Sequence, residues 1–185
     1  MDTVLTVKGG WNLRKIMGFI SKLEEYVAGV LMVAIVVVIF AQVVYRYVLS
    51  SPLSWSEELG RYLFVWISFL GASIAFKKGA HLGIDVFTSK LSEKYQNYLA
   101  VIVNVLGIIF LAMIVKESAG LLERVVKQVS PAMRISMKWP YLALPVCTSL
   151  MLLHLLENTV ERVKKIFSSQ GKQDRMIGGK GELPK

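Results

Sequence analysis

Four apolar stretches, almost free of charge in their centres, constrain this chain more than any other feature of its sequence. They lie at about residues 27–45, 57–76, 98–116 and 139–157, and each approaches the ~20 residues that a helix needs to cross a bilayer. The chain of 185 residues is 54% hydrophobic and 19% charged, whereas soluble domains have about 25% charged residues. The sequence therefore predicts an all-α integral membrane protein with four transmembrane helices in residues 27–160. It excludes a soluble globular protein, a secreted disulfide scaffold and a disordered chain.

A second helical pattern precedes the first span, in residues 1–26. Apolar side chains recur at helical spacing from Leu13 to Val27, with basic and polar side chains between them. This pattern is typical of an amphipathic helix in the membrane interface, and a cytoplasmic extension of the first span is the alternative. The residues predicted to lie at the membrane interface, here and at the ends of the spans, are Trp11, Arg14, Lys15, Tyr45, Arg46 and Trp139.

Lysine and arginine residues orient the spans, because the cytoplasmic segments of membrane proteins carry an excess of both. Fifteen of the 22 fall in the N-terminal segment, the second connection and the C-terminal tail, and seven fall on the other side. Both termini are therefore predicted to be cytoplasmic, with residues 161–185 forming a basic, disordered tail. The net charge of +9 then reflects orientation and contact with anionic membrane lipids, and the sequence has no nucleic-acid motif.

The predicted spans lack the residues that transport and redox chemistry need. Their interiors hold no Asp, Glu, Lys or Arg, whereas a proton-coupled carrier needs an ionisable group within the membrane. Cys147 cannot form an internal disulfide, and His81 and His154 are the only candidate haem ligands. We therefore predict no catalytic residue, no metal site, no cofactor and no enzyme activity. We also expect that the chain cannot translocate a polar solute alone.

Charged residues at the start of the second span form the most informative cluster. Glu57 and Glu58 precede Arg61 by four and three residues, so both carboxylates can reach its guanidinium on a helix. Ser54 and Glu57 fit a capping box. Two interpretations of the cluster remain open: a self-neutralised helix start, and a polar patch that docks a partner on the outer face.

These charged residues belong to a longer motif across residues 54–85. The motif consists of Trp55, Glu57, Glu58, Arg61, Trp66, Gly71, Ala72, His81 and Asp85. In order and spacing it resembles the DctQ-type small membrane subunit of tripartite ATP-independent periplasmic (TRAP) transporters. Residues 51–59 look most like those of members that serve sialic acid uptake.

The resemblance implies a multi-pass subunit of the bacterial inner membrane with two protein partners. One is a large multi-span TRAP membrane subunit, which works as a sodium-driven elevator. The other is a soluble periplasmic substrate-binding protein, which delivers an organic acid, with sialic acid favoured and a C4-dicarboxylate next. The small subunit would extend the stationary scaffold and help dock the binding protein through the motif residues. Two alternatives stay open: a haem-binding anchor subunit of a redox complex, and a small four-span exporter.

Overall fold

The computed structural model describes residues 5–78 and 93–178, with side chains described in residues 15–78, 95–96 and 98–164. These ranges fold into helices α1 (Leu5–Tyr47), α2 (Ser54–Lys77), α3 (Glu93–Val125), α4 (Lys138–Tyr141) and α5 (Ala143–Gly178). Within these described ranges, four segments are long and apolar enough to cross a membrane. They are Lys15–Tyr47, Ser54–Lys77, Tyr98–Val125 and Lys138–Lys164. The predicted all-α, four-span fold class is therefore confirmed.

Helix α1 is continuous over 43 residues, with no break between the predicted interfacial segment and the first span. At 1.5 Å per residue it is about 65 Å long, roughly twice the ~30 Å hydrocarbon core of a bilayer. Lys15 is exposed, whereas the side chains of Trp11 and Arg14 lie outside the described ones. A continuous helix is the geometry of the cytoplasmic-extension alternative, and a position in the interface stays a prediction.

Helix α2 begins without the capping box that the sequence predicts. In the described structure, Leu53 occupies the N-cap position and no side chain caps the first turn there. Ser54 is already the first helical residue, one position too late to act as the cap. The hydroxyl of Ser56 instead donates a hydrogen bond to the carbonyl of Leu53 at 2.7 Å. The capping-box prediction is therefore wrong, because the helix begins one residue earlier than the prediction assumes.

The fourth span is divided at Leu142, between α4 and α5. Pro145 explains the break, because proline has no N–H to bond the carbonyl four residues earlier. The chain still runs through this point, since the N–H of Leu142 donates to the carbonyl of Lys138 at 2.9 Å. The short α4 thereby remains continuous with the N-terminal end of α5.

The helices pack in the spatial order α1, α2, α5, α3. Leu70 of α2, Leu111 of α3 and three residues of α5 form the buried core; the α5 residues are Cys147, Met151 and Leu155. A Cβ on Gly107 would lie 2.9 Å from Cδ2 of Leu155, so this glycine permits the close approach of α3 and α5. The burial of Cys147 agrees with its expected place in an apolar span.

Helix α1 lies at the edge of the bundle and buries little of its surface. In its described part, residues 15–47, only Ser21 and Glu24 are buried. Large apolar side chains, among them Phe19, Tyr26 and Phe40, are about 70% exposed. Such an apolar surface suits lipid or a membrane-embedded partner.

Candidate functional site

Glu58 is the centre of a hydrogen-bonded site at the start of α2. Its side chain is buried, and one carboxylate oxygen accepts bonds from the backbone N–H groups of Ala132 and Met133 at 2.9 and 3.0 Å. The other oxygen accepts a bond from the hydroxyl of Tyr62. Three donors therefore converge on one buried carboxylate, an arrangement that stabilises the ionised group. Glu58 thus ties α2 to the segment between α3 and α4.

That segment, residues 126–137, is folded as a compact turn. We name it the outer loop, after the side of the membrane that the distribution of lysine and arginine predicts for it. The N–H of Ser130 donates to the carbonyl of Ile135 at 2.8 Å, and the N–H of Met137 donates to the carbonyl of Gln128 at 2.9 Å. Arg134 adopts a positive φ of 55°, in the left-handed region that closes tight turns. The turn points two backbone N–H groups at Glu58, so the loop and the carboxylate fix one another.

Arg61 does not pair with the neighbouring carboxylates, contrary to the geometry that the spacing predicts. Glu58 faces the outer loop, whereas Glu57 and Arg61 are exposed. Among the described residues, Arg61 forms no ion pair with either carboxylate. The self-neutralised cluster is therefore wrong, because the backbone of the outer loop supplies donors that the local sequence cannot show. A docking role for these residues stays a prediction.

A cavity of about 480 Å³ opens beside Glu58, between α2, α3, α4, α5 and the outer loop. Its polar lining comes from Glu58, Arg61 and Tyr62, and apolar residues such as Phe69 and Leu144 line the rest. Charge at one end and apolar walls elsewhere fit a site at the edge of a membrane, where water meets hydrocarbon.

Two tryptophans of the sequence analysis meet near this site. The indole N–H of Trp66 donates to the backbone carbonyl of Trp139 at 3.3 Å, which ties α2 to α4. Trp66 also packs against the core, whereas Trp139 is 64% exposed and Trp55 is 41% exposed. Exposed tryptophans at span ends are typical of a membrane interface.

The remaining predicted residues lie elsewhere. A Cβ on Gly71 would meet no atom within 4 Å, so this glycine serves no close packing within the described chain. Tyr45 is exposed at the end of α1, where the guanidinium of Arg46 lies 5.9 Å from the ring centre of Tyr47. His81 and Asp85 lie outside the described residues.

The sequence analysis missed a polar cluster inside the bundle. Glu24 of α1 accepts a hydrogen bond from the hydroxyl of Ser73 at 3.3 Å. Nε2 of His154 lies 3.3 and 3.2 Å from the two carboxylate oxygens of Glu24. The sequence analysis did not anticipate this contact, because Glu24 precedes the apolar run at residue 27, whereas helix α1 continues through both.

This cluster does not have the composition of a metal centre. In residues 15–78 and 95–164, apart from residue 97, no group of three or more His, Cys, Asp or Glu side chains could hold a metal ion. His154 is engaged by Glu24. What the cluster offers chemically is an acid and a base in direct contact, away from water.

Comparison with known proteins decides the family. Residues 35–165 match the family model of the DctQ component of tripartite ATP-independent periplasmic transporters, which is more than half of the chain. The chain belongs to this DctQ family. Its TRAP resemblance is thereby confirmed, and the family favours a transporter component over the haem anchor and the exporter.

Three relatives of this DctQ-family chain differ in length. It is 33% identical over 162 residues to the sialic acid TRAP transporter small permease protein SiaQ of Vibrio cholerae, covering 84% of this chain and 90% of SiaQ. It is 34% identical over 141 residues to the sialic acid TRAP transporter permease protein SiaT of Haemophilus influenzae, covering 76% of this chain and 23% of SiaT.

The third relative is the isethionate TRAP transporter permease protein DctMQ of Oleidesulfovibrio alaskensis. The identity is 32% over 155 residues, which is 80% of this chain and 24% of DctMQ. The chain thus spans about a quarter of the length of SiaT and of DctMQ, and nearly all of SiaQ.

Proposed function

We propose that this chain is the small, non-translocating membrane subunit of a TRAP-type secondary transporter. In this role it scaffolds a large sodium-coupled elevator subunit and helps a periplasmic substrate-binding protein to dock. The observation that carries the proposal is the outer loop that Glu58 holds in place, on a chain of the DctQ family.

The large partner is inferred from the lengths of the relatives. The chain matches only 23% of SiaT and 24% of DctMQ, so most of each permease lies beyond the matched region. In the described part of this chain the helices close on an apolar core, and the buried side chains of Glu24 on α1 and His154 on α5 contact each other. A transport path therefore belongs to a second membrane subunit.

The docking role is inferred from the charge and rigidity of the outer surface. Arg61 on α2, Lys127 and Arg134 in the outer loop, and Lys138 at the start of α4 are all exposed. A basic surface steers an acidic partner toward it, and a loop that is already folded loses little conformational entropy on binding. The outer loop and Arg61 are therefore our candidate contact for the substrate-binding protein.

Sialic acid is the substrate that we favour for the complete transporter, because the relatives SiaQ and SiaT are both named sialic acid TRAP transporter proteins. The named substrate of DctMQ is isethionate, so the shared chemistry is that of an organic acid. We infer that the chain lies in a bacterial inner membrane, and the fifteen-to-seven distribution of lysine and arginine supports an orientation with both termini in the cytoplasm and the outer loop in the periplasm.

Reconstitution in liposomes tests the subunit role. We expect sodium-driven uptake of labelled sialic acid only when this chain, the large subunit and the binding protein are all present. The chain alone should give no more uptake than empty liposomes. Uptake by the chain alone, or full uptake without it, would contradict the proposal.

Cysteine labelling tests the orientation. Cys147 is buried, and a Cys147→Ser background leaves a single introduced cysteine to label. We expect Ser51→Cys in that background to react with an impermeant reagent from the periplasmic side. Labelling from the cytoplasmic side alone would reverse the topology.

A further inference from the structure

The cavity beside Glu58 extends from the polar start of α2 into apolar surroundings. The residues of α2 that line it are spaced by three or four positions and so share one face of the helix: Glu58, Arg61, Tyr62, Val65 and Phe69. The polar residues come first, and the apolar ones follow. From Glu58 to Phe69 the helix rises by about 16 Å, close to half of the ~30 Å hydrocarbon core of a bilayer. The lined stretch of α2 therefore matches the depth of one membrane leaflet.

The opposite walls of the cavity come from α3, α4, α5 and the outer loop, and they are mainly apolar. They consist of Leu121, Pro131, Met137, Pro140, Tyr141 and Leu144. None of these described residues is a lysine, arginine, aspartate or glutamate. A cavity of about 480 Å³ with apolar walls and a few polar groups at one end is typical of a ligand site. An alkyl chain is the ligand chemistry that suits such walls.

Arg61 provides a charge at this cavity for a ligand to bind. Of the two charged lining residues, Glu58 already accepts hydrogen bonds from the backbone of the outer loop and from the hydroxyl of Tyr62. Arg61 is exposed and, among the described residues, forms no ion pair with a carboxylate. A guanidinium can donate two parallel hydrogen bonds to the oxygens of one phosphate. The polar end of the cavity therefore suits a phosphate group.

The exposed charges around this polar end are mainly positive. Lys138 follows the lining residue Met137, and Arg134 lies in the outer loop, which contacts Glu58. Glu57 is also exposed, but it does not line the cavity. An excess of positive charge around a cleft attracts an anionic ligand.

Exposed tryptophans indicate the level of the polar end relative to the membrane. Trp55 lies three residues before Glu58 on α2, and Trp139 directly precedes the lining residue Pro140. Both tryptophans are exposed, and such residues are typical of the headgroup region of a bilayer. A phosphate bound to Arg61 therefore lies at the level of the lipid headgroups, and the apolar walls lie at the level of the acyl chains.

We propose that this cavity binds one glycerophospholipid from the leaflet beside the outer loop. The phosphate contacts the guanidinium of Arg61, and one acyl chain lies along Val65, Phe69 and Leu144. The bound lipid fills the space between α2, α5 and the outer loop, and so becomes part of the packing at this end of the subunit. The inference rests on the cavity and not on the docking of a substrate-binding protein. It is tested on the chain without that protein, so its failure would leave the proposed function standing.

Native mass spectrometry of the full chain in detergent tests the binding. Dioleoyl phosphatidylglycerol should bind in a ratio of one to one. Dioleoylglycerol, which has the same acyl chains without the phosphate, should bind about 10-fold more weakly. An excess of inorganic phosphate should not displace the phospholipid, because the apolar walls hold its acyl chain. Equal binding of the two lipids, or binding of many lipids without saturation, would overturn the proposal.

Arginine variants in the same assay test the phosphate contact. Arg61→Gln should weaken the binding of phosphatidylglycerol about 10-fold. Arg46→Gln is the matched control, because Arg46 is exposed at the end of α1 and does not line the cavity. This control should bind phosphatidylglycerol like the unchanged chain. An equal loss in both variants would show that the lipid binds to the surface in general and not to this cavity.

A photoreactive lipid tests where the acyl chain lies. Phosphatidylglycerol with a diazirine in one acyl chain should crosslink to Phe69 and Leu144. Val65→Trp should abolish these crosslinks by filling the apolar part of the cavity. Ile114→Trp is the control, since Ile114 lines a separate cavity beside α3, and it should keep them. Crosslinks that persist in Val65→Trp would overturn the proposal. Crosslinks that disappear when the large subunit is bound would assign the cavity to that protein and also overturn it.

Discussion

The two ends of α2 each lie beside a buried carboxylate, and the two carboxylates are held by different kinds of donor. At the outer end, Glu58 accepts bonds from two backbone N–H groups of the outer loop and from the hydroxyl of Tyr62. At the inner end, Glu24 meets the hydroxyl of Ser73 and the ring of His154. The donors at the outer end belong mainly to the backbone, whereas both partners at the inner end are side chains. The outer contact therefore depends on the fold of the outer loop, and the inner contact depends on which side chains α2 and α5 carry.

The largest expected effect comes from removing the imidazole side chain at the inner end. His154→Ala takes away the ring that contacts both carboxylate oxygens of Glu24 and leaves a cavity, which should lower the free energy of unfolding by about 3 kcal/mol. Denaturation in detergent measures this loss. Arg61→Ala is the control at the outer end, since Arg61 is exposed, and it should change stability by less than about 0.5 kcal/mol. Similar losses in both variants would remove the difference between the two ends.

A smaller effect is expected when the outer carboxylate is changed. Glu58→Gln keeps the shape of the side chain but weakens the bonds from the N–H groups of Ala132 and Met133. Hydrogen exchange at these two amides should accelerate about 10-fold, because the outer loop opens more often. Glu57→Gln is the matched control and should leave both amides unchanged. Unaltered protection in Glu58→Gln would mean that the loop folds without this carboxylate.

The hydrogen bond from the indole of Trp66 to α4 should contribute less to the stability of the protein. Trp66→Phe keeps the aromatic ring and removes the N–H that donates to the carbonyl of Trp139. We expect a loss of about 1 kcal/mol in unfolding free energy. Trp55→Phe, at an exposed position, should cost less than half as much. If the two changes cost the same, the bond to Trp139 does not stabilise the outer end.

The smallest effect on stability, and a specific effect on transport, is expected for Arg61→Ala. Assembly with the large subunit should be intact, and sodium-driven uptake should fall because the proposed docking surface loses a positive charge. Higher concentrations of binding protein should restore part of the rate. Competition among organic acids in the three-component system should keep the same order of preference. A changed order would assign Arg61 to substrate recognition instead of docking.

The sequence predicted what depends on composition and local order. The four spans follow from the length of the apolar stretches, and the motif from Trp55 to Asp85 indicated the family. The partner of Glu58 could not be predicted, because the outer-loop N–H of Ala132 is 74 residues away along the chain. The buried position of Glu24 was missed because the apolar run of the first predicted span starts after this residue. Helix α1, which packs into the bundle, starts before it. Contacts between helices are set by packing, which a single sequence does not display.

The uninterrupted length of α1 gives the inner contact a mechanical consequence. From Glu24 to Tyr47 the helix rises over 23 residues, or about 35 Å, with no break in its hydrogen bonding. A stiff rod held at one end acts as a lever. A tilt of about 10° around Glu24 displaces the far end by about 6 Å. A small change in the contact between Glu24 and His154 therefore displaces the opposite end of α1 by more than the width of a water molecule.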